Sequence, residues 1–224
     1  MKIEKRWIIS FIIISLVSIT ALFWPEQTSL PKPGTFLGEE DIVGSDVAWI
    51  LASSGLVLLM TPGLSFFYGG MVGKKNMIST MLQSFIALGV ISILWVVVGF
   101  SLSFGESIGI TINGEHYGLI GNPTTYSFFN NVGVLPHSQL ASTVPFVLFA
   151  MFQMKFAVIT PALITGSFAE RVRFISYLLF MVLFSLIIYT PLCHMVWHPE
   201  GLLNKYFGVK DFAGGTVVHM SAGF

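Results

Sequence analysis

In a chain of 224 residues with five histidines and one cysteine, few residues can do chemistry, and three of them sit in unusual surroundings. His219, Asp211 and Lys155 lie inside, or at the edge of, long uncharged apolar runs, where an ionised group costs about 2.5–3.5 kcal/mol at mid-depth of a bilayer. A neutral imidazole is the cheapest of the three, with one donor and one acceptor nitrogen. His219 therefore either lines a path for a small hydrogen-bonding solute or a proton, or is a core histidine bonded to a neighbouring helix. Asp211, eight residues earlier, stands where a helix carrying His219 would begin. It reads as an N-cap that complements the positive helix end, and from there it would also draw cations to an outer mouth. A helix running from Asp211 places His219 ~12 Å below that mouth. Lys155 must snorkel its ammonium outwards or meet a partner on another helix. Trp197, and Phe152 with Phe156 one turn apart, offer ring faces to a cation at about 0.5–2 kcal/mol each, although Trp at a membrane interface and Phe in a span are also ordinary filling.

Other chemistries are poorly provided for. Cys193 is the lone cysteine, which excludes an intrachain disulfide and a cysteine-rich metal site. It neighbours His194, but adjacent helical positions point apart and do not make a nucleophile–base pair. His219 as a general base would need an activated nucleophile or a metal, and the sequence supplies neither; no enzyme activity, metal or cofactor is expected. Eleven Lys and Arg balance eleven Asp and Glu, so no basic face is available for nucleic acid.

The elements that must position these residues are membrane spans. Hydrophobic residues make up 54% of the chain, charged ones 10%, and mean hydropathy is +0.81. About 20 apolar residues cross a ~30 Å hydrocarbon core. Runs of that length predict spans over 46–73, 78–104, 142–168 and 174–197, with a fifth, 212–224, too short to cross, so that the sequence reads as truncated. The fold class is all-α polytopic membrane protein. Pro62, Pro145, Pro161 and Pro191 fall within these runs, and Gly69 with Gly73, like Gly214 with Gly215, suits close helix packing. Residues 1–24 carry Lys2, Lys5 and Arg6 ahead of the apolar stretch Trp7 to Trp24. They read as a signal peptide or, given a poor small-residue pattern around Ser18, Thr20 and Ala21, as an uncleaved anchor helix. Residues 25–45 then form an extracytoplasmic segment, followed by a membrane domain over 46–224. Lys74, Lys75, Arg171 and Arg173 place two short loops in the cytoplasm. The connection from Gly105 to Ala141 contains no Lys or Arg and lies outside, as does the start of the first span.

Four strings carry a resemblance: PGLSFFYGGMVGKKN at the inner end of the first span, FQMKFAVITPALITGSFAERVRF in the third, HMVWHPEGLL after the fourth and DFAGGTVVH into the fifth. In order and separation they resemble the Amt/Mep/Rh family of ammonium transporters, Amt branch, over Asp46 to Phe224. The resemblance implies the first of two inverted five-helix repeats, with the fifth helix truncated, in a protein of eleven spans that assembles as a homotrimer in a cell membrane, here a bacterial inner membrane. It implies transport of ammonium or ammonia, or ammonium sensing by the same fold, or an inactive truncated fragment, with a cytosolic regulatory protein as a further partner. Residue by residue, Trp197 matches the tryptophan of the outer recruitment site, Phe156 one phenylalanine of the gate and Ala213 a small residue beside that site. His219 matches the first of two paired pore histidines and Asp211 the supporting aspartate. The second pore histidine, the second gating phenylalanine and the recruitment-site serine belong to the other half. A half-pore would expose His219, and residues 1–224 are not expected to transport alone.

Overall fold

The computed structural model describes residues 33–224 together with Ile12 and Leu16, both of them helical. The signal-or-anchor reading of 1–24 otherwise falls outside the described residues. Residues Pro31–Phe224 form one compact unit. Within it four helices are long and apolar enough to cross a bilayer: α1 Gly44–Met71, α2 Met77–Phe104, α3 Phe146–Phe168 and α4 Phe174–Trp197.

The spans invert the soluble pattern. α1 buries only Ser54, Thr61, Ser65 and Gly69, while Trp49, Leu56, Leu59, Phe66 and Phe67 are exposed. Small side chains let backbones approach, and the large apolar ones belong to lipid. Ser65 Oγ donates to Met81 O at 3.0 Å, and a Cβ on Gly69 would come within 2.7 Å of the Met81 side chain, so α1 and α2 pack almost backbone to backbone there.

α2 and α4 each contain one π-helical turn, Trp95–Gly99 and Ser185–Tyr189, and the two meet through Trp95 and Tyr189, whose ring centroids lie 6.4 Å apart. Beside them Phe100, Phe104, Phe146 and Phe149 form an aromatic core toward the C-terminal end of α2. Trp95 is 1% exposed, and its Nε1–H donates to Ala150 O on α3 at 3.0 Å. Trp95→Phe removes that bond from a dry interface and should cost about 1–3 kcal/mol, read as a lower melting temperature in detergent; no change would show the bond to be idle.

Two helix starts and one helix interior depart from the apolar runs. α3 starts at Phe146 rather than 142, because Pro145 is its N-cap residue, with φ −51°, and lies outside the helix. Pro161 stays inside α3, two residues before the helix breaks and resumes over Thr165–Phe168. The fifth helix, α5, is a π-helical turn over Gly215–Met220 that continues as Ser221–Gly223. Helix therefore starts at Gly215, and the ~12 Å depth reckoned from Asp211 does not apply. Gly214 stands just ahead of it at φ +75°, a left-handed conformation that glycine adopts freely, so the pair Gly214–Gly215 turns the chain here.

The connection between α2 and α3 is not featureless either. It holds an antiparallel hairpin, β1 Ser107–Ile112 and β2 Glu115–Gly121, closed by Asn113 and Gly114, both at positive φ. Asn-Gly is the two-residue turn that matches strand twist. β2 docks on the chain after α4 through Gly118 N and Glu200 O at 2.7 Å. At the opposite end of the bundle Glu170 Oε1 accepts from Gly73 N and Asn76 Nδ2, both at 2.9 Å, tying the loop after α1 to the loop after α3; those two bonds hold its carboxyl below the usual range.

Candidate functional site

Trp197, Phe156, Ala213, Asp211 and His219 come from α3, α4 and α5 and the loop between the last two, and all five line one cavity of about 570 Å³. α4 ends at Trp197, and π-helical and irregular chain then returns Asp211 to the Trp197 ring. Trp197 meets Phe156 edge to face at 6.0 Å between centroids and 75° between planes. Phe156 meets Phe152 in the same way at 5.0 Å and 86°.

Asp211 organises this end of the cavity with a single oxygen. Its Oδ2 accepts from Trp197 Nε1 at 3.2 Å, from Thr216 N at 3.1 Å and from Val217 N at 3.0 Å. The aspartate thus caps α5 from outside the helix, satisfying two otherwise orphaned N–H groups, and fixes the indole by the same contact. Among the described residues it is the only carboxylate lining the cavity, His219 is the only other titratable group there, and no cationic side chain joins them.

His219 is exposed, and its Nδ1 lies 3.1 Å from Gly214 O. A carbonyl oxygen only accepts, so Nδ1 carries the proton of the neutral ring and Nε2 is left as a lone pair. The π-helical bond from His219 N to Gly214 O, 3.0 Å, uses the same carbonyl, so the wider turn fixes both backbone and ring. Lys155 does not line the cavity. Its Nζ donates to Met151 O at 2.8 Å, one turn back on its own helix, and no carboxylate pairs with it among the described residues.

Phe152, read with Phe156 as a ring face for a cation, also lines the cavity, and several lining residues carry no role in the sequence reading, among them Gln153, Gln139 and Leu140. Phe152 was visible through its spacing to Phe156. Gln153 Oε1 is buried without a partner, a polar acceptor inside an apolar span that could have been flagged as Lys155 was. Gln139 and Leu140 arrive from the connection between α2 and α3, and nothing local in the sequence marks them. Among the described residues no group of three or more His, Cys, Asp or Glu side chains converges as a metal site would require.

Helices long and apolar enough to cross a bilayer, around a cavity walled by aromatic rings with one carboxylate and one imidazole, define a polytopic membrane protein with a cavity among its spans. Residues 48–224 match the Ammonium Transporter Family, and the chain belongs to it. It is 45% identical over 178 residues to the ammonium transporter of Bacillus subtilis (strain 168), covering 80% of this chain and 41% of that protein. Among solved structures it resembles Saccharomyces cerevisiae Mep2, with a TM-score of 0.72 and 33% identity, covering 84% of this chain and 40% of that one. A sensor Amt protein is also similar, with a TM-score of 0.66 and 30% identity, covering 80% and 41% of the two chains. The chain thus spans about two-fifths of the length of the relatives it matches.

Proposed function

We propose that this chain forms the outer vestibule and the first part of the conduction path of an ammonium transporter. The observation that carries the reading is the stack in one cavity: Trp197 held by Asp211, edge-on to Phe156, with His219 on the adjoining helix. Ammonium is a cation that an apolar path cannot hold unpaired, whereas ammonia is small and neutral. The rings and the carboxylate recruit the cation at the mouth, where the ring quadrupoles favour it over water. Below it, the Nε2 lone pair of His219 accepts a hydrogen bond from ammonia or takes the proton that ammonium gives up.

In this reading the start of α1 faces outwards, the loops with Lys74, Lys75, Arg171 and Arg173 face the cytoplasm, and the protein sits as a homotrimer in the bacterial inner membrane. A cytosolic regulatory partner would bind on that inner side. A second reading, ammonium sensing by the same cavity, is favoured by the likeness to the sensor Amt protein.

The test is uptake of labelled methylammonium into proteoliposomes containing a chimera in which this chain replaces the matching portion of the Bacillus subtilis relative. Saturable uptake is expected, and Trp197→Leu should raise the half-saturation concentration roughly 3–30-fold, the range of one lost cation–π contact. Uptake no faster than in empty liposomes would overturn transport. Uptake indifferent to Trp197→Leu would overturn recruitment at the rings.

A further inference from the structure

Two buried histidines outside the recruitment stack close the turns that wall it. His137, 7% exposed, accepts at Nδ1 from the backbone N–H groups of Gln139 at 3.3 Å and Leu140 at 3.2 Å, and both of those residues line the cavity. His198, 6% exposed, accepts at Nδ1 from Glu200 N at 3.2 Å; Trp197 before it and Pro199 after it also line the cavity. The same device therefore appears twice, an imidazole lone pair clipping the backbone two residues on, once in each segment that closes the outer mouth.

An N–H can bond only to a lone pair, so in both rings Nδ1 is bare and the neutral tautomer carries its proton on Nε2. For His137 that proton points to the Tyr126 hydroxyl, 3.1 Å away. Protonating either ring puts a hydrogen on Nδ1, sets N–H against N–H and leaves the backbone donors unpaired in a buried place.

The geometry points to His137 and His198 as positioning residues of the outer vestibule, whose unprotonated Nδ1 atoms hold the cavity walls and whose protonation from the outer side releases them. This rests on the transport reading for its functional consequence but on the hydrogen bonds alone for its structural one.

The surroundings favour the neutral rings. His137 is packed between Phe36 and Phe146, with ring centroids at 5.6 and 4.8 Å. Tyr126 faces it from the preceding loop, Glu39, Glu40 and Asp41 follow Phe36 without pairing to it, and α3 brings no charge against it. His198 stacks on His194 at 4.5 Å and 15°, and Ser107 Oγ reaches both, at 2.9 Å to His194 Nε2 and 3.4 Å to His198 Nδ1. Beyond Ser107 lies His116, whose Nε2 is 3.2 Å from Ser107 O, and Glu200 is the carboxylate on the His198 segment. No carboxylate forms an ion pair with either ring among the described residues. Burial lowers His137, and burial followed by the charges of His194 and His137 pushes His198 down to about 3. Both rings are held below the ordinary 6.5, so the stability they lend is complete above 6.5 and is lost as pH falls below it, for His198 down to about 3.

The test uses asparagine, whose side-chain oxygen accepts the same backbone N–H two residues on and does not titrate. The quantity read is the ratio of half-saturation for methylammonium at outer pH ~3.5 to that at ~7.5, in the chimera, over a range where methylammonium stays charged. The unsubstituted protein should show a several-fold rise, and the double variant His137→Asn, His198→Asn a ratio near one. An equal rise in both would overturn the proposal. Amide hydrogen exchange of Gln139, Leu140 and Glu200 in the 224-residue chain, corrected for the intrinsic rate at each pH, reads the clips without any transport. Protection should fall in acid in the unsubstituted chain and persist in the double variant; the same loss in both would overturn the proposal whatever the chimera transports. A chimera that fails to transport while the exchange result holds would count against the transport reading alone.

Discussion

Replacing His219 by alanine in the chimera should cut ammonium flux by at least ~5-fold, or let potassium through, while leaving capture at the mouth largely intact. His219 is held by Gly214 O from behind, and its Nε2 lone pair is its free face. In a path with little water, one lost hydrogen bond costs about 1–3 kcal/mol, a factor of roughly 5–150 in a rate or an equilibrium. The loss falls on the step after recruitment, because Trp197 and Phe156 meet each other without help from the imidazole. Maximal rate should therefore fall more than half-saturation rises. Flux and ion preference both unchanged would return His219 to the alternative of a core histidine.

Asp211→Ala should be the more damaging substitution, because one oxygen does three jobs. Its removal unpairs Thr216 N and Val217 N at the start of α5 and frees the Trp197 indole. Losing a cap costs about 1 kcal/mol and each unpaired, partly buried donor about 1–3. A total of about 3 kcal/mol would lower the melting temperature by roughly 6–12 °C for a chain of this size. Uptake should be nearly abolished, since both the rings and the helix carrying His219 lose their fixed geometry. Asp211→Asn separates shape from charge: its oxygen still caps α5, so most of the stability should return while half-saturation for the cation stays raised. If Asp211→Asn restored cation affinity as well, the carboxylate would be a cap and nothing more.

The spans were legible in the sequence because lipid imposes a requirement that composition alone reports, an uncharged run of helical length. Their ends were less so. Pro145 sits within an apolar run yet cannot donate into a helix, and it moves the start of α3 to Phe146. Gly214 and Gly215 read as a packing pair but act as a turn, because Asp211 reaches past them to cap the helix. The hairpin around Asn113 and Gly114 carried a local turn signal that an all-α reading passes over. Residue type and spacing pointed to Trp197, Phe156, Asp211 and His219, and the family strings alone to Ala213; all five line one cavity. Gln139 and Leu140 were not legible, because long-range contacts of His137 with Tyr126, Phe36 and Phe146 bring their turn to the cavity, and no window of sequence contains those contacts. His194 and His198, four apart after an apolar run, had helical spacing for a stacked pair, but what they hold is visible only once β1 brings Ser107 between them.

The central claim is that an uncharged imidazole under an aromatic mouth borders an open route. A cryo-electron microscopy map of the chimera in ammonium solution tests it most directly. The account predicts a continuous narrow tunnel that passes beneath the Trp197 and Phe156 rings and runs along the His219 Nε2 edge, with density at the mouth facing those rings. A map in which the His219 ring is enclosed by packed side chains, with no passage beside it, would contradict the account.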